Sequence, residues 1–202
     1  YLSVVNTTAS TKAVKVRFLD GKNSREVLDF NLYLSPNDVW TAVLVATADG
    51  AVMRTADRSC VTPTVPSAGF PFVNFAFTGS ASDNETGSLD RTREGYFEII
   101  EMGDMTGTIT TAIKHVSGTP PNCAAITDAA AAAATVAGSG GLAGTATLIN
   151  VRNGVDYGYN AIALDDFSDI PLWFPPGSIL PNLANVNPKV SNVFRTSATA
   201  PA

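Results

Sequence analysis

Leu28, Phe30, Leu32 and Leu34 are separated by Asp29, Asn31 and Tyr33, an oily side chain at every second position. Period two is the geometry of a β-strand, whose side chains leave alternately from opposite faces. Val14, Val16 and Phe18 alternate in the same way with Lys15 and Arg17, which predicts a second strand with one dry face and one wet face. Asp20-Gly21-Lys22-Asn23 reads as the turn between the two strands, and Ser35-Pro36-Asn37-Asp38 ends the second.

The rest of the chain continues in this idiom. Residues 39–48 are nearly all apolar or Thr, then Asp49-Gly50 and a second apolar run predict a tight hairpin with both central residues at positive φ. Phe70, Phe72, Val73, Phe75 and Phe77 predict an aromatic strand, and residues 95–102 resume β character. Asn153-Gly154 between two β-rich runs is the strongest hairpin signal in the chain. Residues 107–116 fit strand or short helix equally. Asp128 followed by six alanines and Thr135-Val136-Ala137 predicts a helix of about ten residues with Asp128 as its N-cap, and Gly138-Ser139-Gly140-Gly141 ends it; a flexible low-complexity insert is the alternative. Pro171, Pro175, Pro176, Pro181 and Pro188 predict a segment that wraps the surface or forms edges, because proline cannot donate to a sheet ladder. Roughly eight to ten strands with frequent turn signals predict an all-β fold, an antiparallel β-sandwich of jelly-roll type. The expected organisation is one domain over residues 1–183, an Ala/Gly-rich helix or insert near 128–144, and a C-terminal extension or tail over 184–202.

Charged residues make up only 15% of the chain, against the ~25% of an average globular protein. The net charge is −5 and no run of Lys or Arg occurs, so no nucleic-acid partner is expected. No apolar stretch approaches the ~20 residues of a membrane span. Low charge with abundant Thr, Asn and Gly suits a secreted β protein, and an opening Tyr1 fits a processed mature chain or a fragment. Cys60 and Cys123 lie in Pro-containing stretches and are expected to form a disulfide in an oxidising compartment.

Candidate chemistry is sparse. His115 is the only histidine, and the nucleophile-elbow pattern Gly-x-Ser-x-Gly is absent. Glu98 and Glu101 lie three apart, which on a strand puts them on opposite faces. Glu94 and Glu98 read as charges that keep an edge strand soluble. Asp83, Asn84, Glu85 and Asp90, and separately Asp165, Asp166 and Asp169, offer oxygens for calcium but fit no calcium-loop pattern. Asn6-Thr7-Thr8 and Asn84-Glu85-Thr86 fit the N-glycosylation triplet. No catalytic residue, metal or cofactor is expected, and the chain is read as a non-enzyme.

Residues 12–45 (KAVKVRFLDGKNSREVLDFNLYLSPNDVWTAVLV), residues 93–103 (REGYFEIIEMG) and the Asn153-Gly154 hairpin region resemble uncharacterised secreted β-sandwich proteins of Gram-negative bacteria. That resemblance covers most of the chain. It implies secretion and a shared fold, and it carries over no activity and no functional residue.

The leading functional expectation is a structural subunit of an extracellular filament or surface layer, a polymeric homo-oligomer assembling by β-strand addition. The candidate assembly strands are Tyr1, Leu2, Val4 and Val5 at one end and Val190, Val193 and Phe194 at the other. The rival is a secreted carbohydrate-binding or adhesive module in which Trp173 and Phe174 contact a glycan.

Overall fold

A computed structural model describes residues 1–183 and the backbone of residues 192–194. The elements run β1 (Leu2–Asn6), β2 (Thr11–Asp20), β3 (Glu26–Leu34), β4 (Val39–Ala46), β5 (Ala51–Arg54), β6 (Cys60–Thr62), β7 (Phe70–Pro71), β8 (Gly95–Met105), α1 (Ile109–Ile113), α2 (Asp128–Ala134), β9 (Thr135–Val136), β10 (Leu142–Asn150), β11 (Val155–Asn160), β12 (Ala163–Asp165) and β13 (Asn192–Phe194). Strand makes up 40% and helix 14%, so the chain is all-β. A six-stranded antiparallel sheet, ordered β11-β10-β1-β4-β5-β7, packs on a five-stranded one, ordered β6-β3-β2-β8-β9. β12 and β13 form a separate two-stranded ribbon.

The alternating residues of β2 and β3 supply one wall of the core between the sheets. Val14, Val16 and Phe18 meet Leu2 and Val4 of β1 and a fully buried Trp40 of β4. Phe30 lies between the rings of Trp40 and Phe70, with centroids 5.7 and 5.6 Å away, and Phe18 contacts Phe72 at 5.2 Å. Phe70 and Phe72 enter the core as foreseen, but residues 70–77 are not one strand. β7 spans Phe70–Pro71; the Phe72 N–H makes one more bond to the Ala51 carbonyl, then the Val73 N–H turns to Val27 of β3, and Phe75–Phe77 is a turn of 3-10 helix that leaves Phe75 exposed and buries Phe77.

The other face of β2 and β3 is not wet. Lys15 is fully buried and Arg17 nearly so. The side chains beside them neutralise them: Lys15 Nζ lies 2.8 Å from Asp29, and Arg17 reaches Glu26 and Glu98 at 2.8 and 2.7 Å. Residues 172–177 cross this charged face as a strap. Asn31 donates to the Phe174 carbonyl, Lys15 to the Pro175 carbonyl, and Asp29 accepts the Gly177 N–H. The Leu172 N–H closes the strap onto the Met102 carbonyl at 2.7 Å. This is the wrapping role expected of the proline-rich segment. Toward β9 the same face becomes apolar, and Ala13, Tyr33 and Met102 pack under Ile113 of α1 and Ala131 of α2. The Cys60–Cys123 disulfide pins this second layer to β6.

Two local expectations need correction. The β4–β5 hairpin exists, but its loop is residues 47–50, closed by the Thr47 N–H to the Gly50 carbonyl, and neither Asp49 nor Gly50 has positive φ. Gly50 is instead closely packed, since a Cβ there would sit 3.0 Å from the Thr92 hydroxyl and 3.1 Å from the Leu89 carbonyl oxygen. The α2 cap is Thr127, whose side chain accepts the Ala130 N–H, and Asp128 occupies the first turn, where its charge favours the helix dipole; the helix stops at Ala134, because Thr135 and Val136 pair with Met105 and Asp104 as β9.

Arg91 ties the loop before β8 to the β2–β3 turn. It donates to Asp20 at 2.8 Å and, through two nitrogens, to Asp83, with its guanidinium 4.2 Å from the centre of the Phe77 ring. Burial pushes Asp20 up, but hydrogen bonds from Arg91 and from the Lys22, Arg25 and Asn23 amides outweigh it and leave the carboxyl below its ordinary range. Hydrogen bonds from Arg91 and Asn23 hold Asp83 well below that range. Carboxyls depressed in the fold contribute stability that is complete above their unfolded value, about pH 4, and lost as the pH falls through the depressed values. Denaturant titrations from about pH 7 to about pH 2 should therefore show stability falling on the acid side, and Arg91→Met should flatten that limb. An acid limb unchanged by Arg91→Met would refute this origin.

Candidate functional site

Ser35, Asp38 and His115 meet in a shallow groove that also includes Asp57, Arg58 and Lys114. The residue types are those of a nucleophilic triad, but the arrangement is not. Ser35 Oγ and Asp38 Oδ2 both approach the same ring nitrogen, His115 Nδ1, at 2.8 and 3.3 Å. A relay needs the hydroxyl on one ring nitrogen and the carboxylate on the other. Ser35 is buried, accepts the His115 N–H and contacts the Ile113 carbonyl, so the trio holds the end of α1 against the β3–β4 turn.

Several of the remaining sequence candidates also have structural partners. Glu98 binds Arg17 and Glu101 binds Lys12, on opposite faces as predicted. Glu98 is not a surface charge; Glu94 is. Both Asp83 oxygens are engaged by Arg91, and Asp90 pairs with Arg93. Among the described residues no group of three His, Cys, Asp or Glu is placed to hold a metal ion. Asn6 is fully buried with its amide nitrogen donating to Ser10 and Ser35 carbonyls, so it cannot accept a glycan in this fold, whereas Asn84 is exposed. Trp173 packs against the second core with its Nε1 buried, whereas Phe174 is held in the strap through its carbonyl, which accepts from Asn31, and its side chain is half-buried.

The candidate assembly strands lie differently from expectation. Leu2, Val4 and Val5 belong to β1, which is interior to its sheet: β10 pairs along one side and β4 along the other. Tyr1 exchanges hydrogen bonds with Thr147 at 2.8 and 2.9 Å. Their ladder positions are thus filled within the chain. Val193 and Phe194 lie in β13, opposite Leu164 and Ala163 of β12, and Val190 lies outside the described residues.

What the fold leaves open is the β10–β11 ribbon. Beyond Thr147, β10 and β11 pair only with each other among the described residues, and every residue of β11 is exposed. Opposed residues of an antiparallel pair share a face. The register Ala146 to Tyr159, Leu148 to Tyr157 and Asn150 to Val155 therefore continues the face that buries Ala146 in the core. Past the second sheet nothing described covers it. Leu148 and Tyr157 are each 66% exposed, and the Tyr157 and Tyr159 rings stand side by side with centroids 6.2 Å apart. Ile149 projects from the opposite face and Val151 from the tip, both exposed.

Two of the other lateral edges are short and blunted. β7 has two residues, one of them proline, and β6 has three and carries the disulfide. β8 joins β9 only at Asp104 and Met105, so much of its outer edge is open, but its side chains alternate between buried and partly buried and Glu94 guards its start. β11 has one charge, Asp156, and open faces on both sides.

No family model, curated protein or solved structure matches the chain. Asn153-Gly154 marks the turn of the ribbon in the sequence, and its flanks carry a further signal. Leu148, Ile149, Val151, Val155, Tyr157 and Tyr159 crowd oily side chains around a turn on both faces, more than one covered face requires, and that excess was the available signal.

Proposed function

We propose that this protein is a structural subunit of an extracellular filament or surface layer and that copies associate through the β10–β11 ribbon by β-strand addition. The observation that carries this reading is an edge strand that is unpaired among the described residues, joined to an apolar face that no described residue covers. Natural proteins avoid that combination unless something pairs with it. The disulfide and the low charge favour an oxidising, extracellular setting, and among the described residues no helix is long and apolar enough to cross a membrane. The geometry at His115 favours a scaffold over a catalyst.

Sedimentation velocity and negative-stain microscopy of the intact protein test the proposal. Concentration-dependent oligomers are expected. Leu148→Ser combined with Tyr157→Ser should weaken association at least about tenfold while changing fold stability by no more than about 0.5 kcal/mol, as exposed substitutions do. An adhesive module is the second reading, favoured by the paired Tyr157 and Tyr159 rings, which could stack on a sugar face. A protein that stays monomeric at all concentrations and is retained by glycans would select that reading.

A further inference from the structure

The assembly reading leaves open which strand of the partner meets β11, and the backbone of β11 answers it. Thr147 spends its N–H and carbonyl on Tyr1, on the β1 side of β10. In an antiparallel ladder each residue's two backbone groups point to the same side and successive residues alternate. Gly158, opposite Thr147, therefore turns its N–H and carbonyl away from β10, and so do Asp156 and Asn160. The Ala161 N–H to Gly144 carbonyl bond obeys the same parity. The outward groups thus form a short ladder centred on Gly158. Its centre has no side chain, and a strand can approach it closely.

Resting on the assembly reading, we infer that the occupant of this edge is β11 of a second copy, paired antiparallel about a two-fold axis at Gly158. That register sets Gly158 opposite Gly158, Asp156 opposite Asn160 and Tyr157 opposite Tyr159 of the second copy. Each outward residue then exchanges both backbone bonds with its opposite. Asp156 avoids its own copy and meets an amide that can donate to it. The tyrosines extend one aromatic row across the axis on the face that Leu148 already makes apolar. A centre at Tyr157 also pairs outward groups, Asp156 with Gly158, but it engages two outward pairs within β11 in place of three and sets the Asp156 carboxylate opposite a residue with no side chain to donate to it. A centre at Asp156 would set like charges opposite each other, which destabilises a sheet pair. The result is one continuous sheet through two sandwiches. An isologous contact of this kind closes after two copies, so it supplies the dimeric repeat, and growth of a filament uses a second contact.

The test uses the full chain. Light scattering should show a dimer or a larger multiple of it, and residue-resolved hydrogen exchange should show protected amides at Asp156, Gly158 and Asn160. Gly158→Pro removes the outward N–H while leaving the β10 side intact, and a Cβ at that site meets nothing nearer than the Thr147 hydroxyl at 3.6 Å. It should abolish the pairing without unfolding the domain. Asn160→Asp places carboxylates opposite each other at two symmetric positions and should weaken the dimer about tenfold, while Asn160→Lys should tighten it by a similar factor. Register is read by oxidative cross-linking. A mixture of Tyr157→Cys and Tyr159→Cys proteins should form an inter-copy disulfide, because opposed Cα atoms lie about 4.5 Å apart. Neither variant alone should, because the diagonal distance of about 7–8 Å is too long. Oligomers that survive both Gly158→Pro and Asn160→Asp, or Tyr157→Cys cross-linking with itself, would overturn this pairing and leave the assembly reading standing. A monomer at every concentration would overturn both. Protected β11 amides in that monomer would assign the edge to another part of this same chain.

Discussion

Lys15→Met is expected to destabilise the fold by about 3–5 kcal/mol, the largest effect of any single substitution considered. The ammonium is fully buried and donates at 2.8 Å to Asp29 and at 2.9 Å to the Pro175 carbonyl. Its removal leaves a carboxylate with a side chain only 8% exposed and without its cation. It also removes a clamp on the strap, so the Leu172 and Gly177 amides should exchange faster with solvent. Burial pushes the Lys15 ammonium below its ordinary value despite the opposing pull of Asp29, so the pair does not fully offset the cost of leaving water. Lys15→Met combined with Asp29→Leu should therefore recover most of the loss, because replacing both ions with apolar groups is often close to neutral. Recovery stays incomplete, since the Gly177 N–H then has no acceptor. Urea titration of the three variants is the measurement. A single-variant loss below about 1 kcal/mol, or a double variant worse than the single, would show that the charged face is not organised as described.

The second large effect is expected from Cys60→Ala with Cys123→Ala. The bond closes a loop between residues separated by 63 positions, and chain entropy alone assigns such a closure about 4 kcal/mol. Both half-cystines also contribute to the second core, where Cys60 is 1% exposed beside Tyr33, Ile113 and Ala131. The loss should be local before it is global. Amides of α1 and α2 should lose protection at denaturant concentrations where β2 and β3 remain protected, because the sheets keep their own core. A loss below about 1 kcal/mol, or simultaneous opening of sheets and helices, would contradict this division.

The fold class was legible because alternation is a local property. Val14, Val16 and Phe18, and Leu28 through Leu34, had to share a face whatever they packed against, and they line the core between the sheets. Turns set by neighbouring residues were legible too, including the Asn153-Gly154 hairpin with Gly154 at positive φ, and the pairing of Cys60 with Cys123 followed from there being only two cysteines. Residues 70–77 misled because four phenylalanines at near-alternate positions satisfy a strand pattern, whereas the chain leaves β5 after Phe72, bonds β3 through the Val73 N–H, and delivers Phe77 to the core by a helical turn. The ribbon now taken as the contact surface was half legible: its turn stood out, but its exposure depended on where the second sheet stops.

By itself the sequence determined which side chains leave each strand together and where the chain reverses. Those follow from the pleat and from local dihedral preferences, and they required no knowledge of distant residues. Only the tertiary structure decided what faces each surface. Lys15 and Arg17 look like water-facing residues, yet Asp29, Glu26 and Glu98 on neighbouring strands neutralise them and a strap from residues 172–177 seals them in. Tyr157 and Leu148 look like core residues, yet their ribbon runs past the sheet that would have covered them. Exposure depends on the neighbours brought in by long-range pairing, and a strand's own pattern carries no record of them.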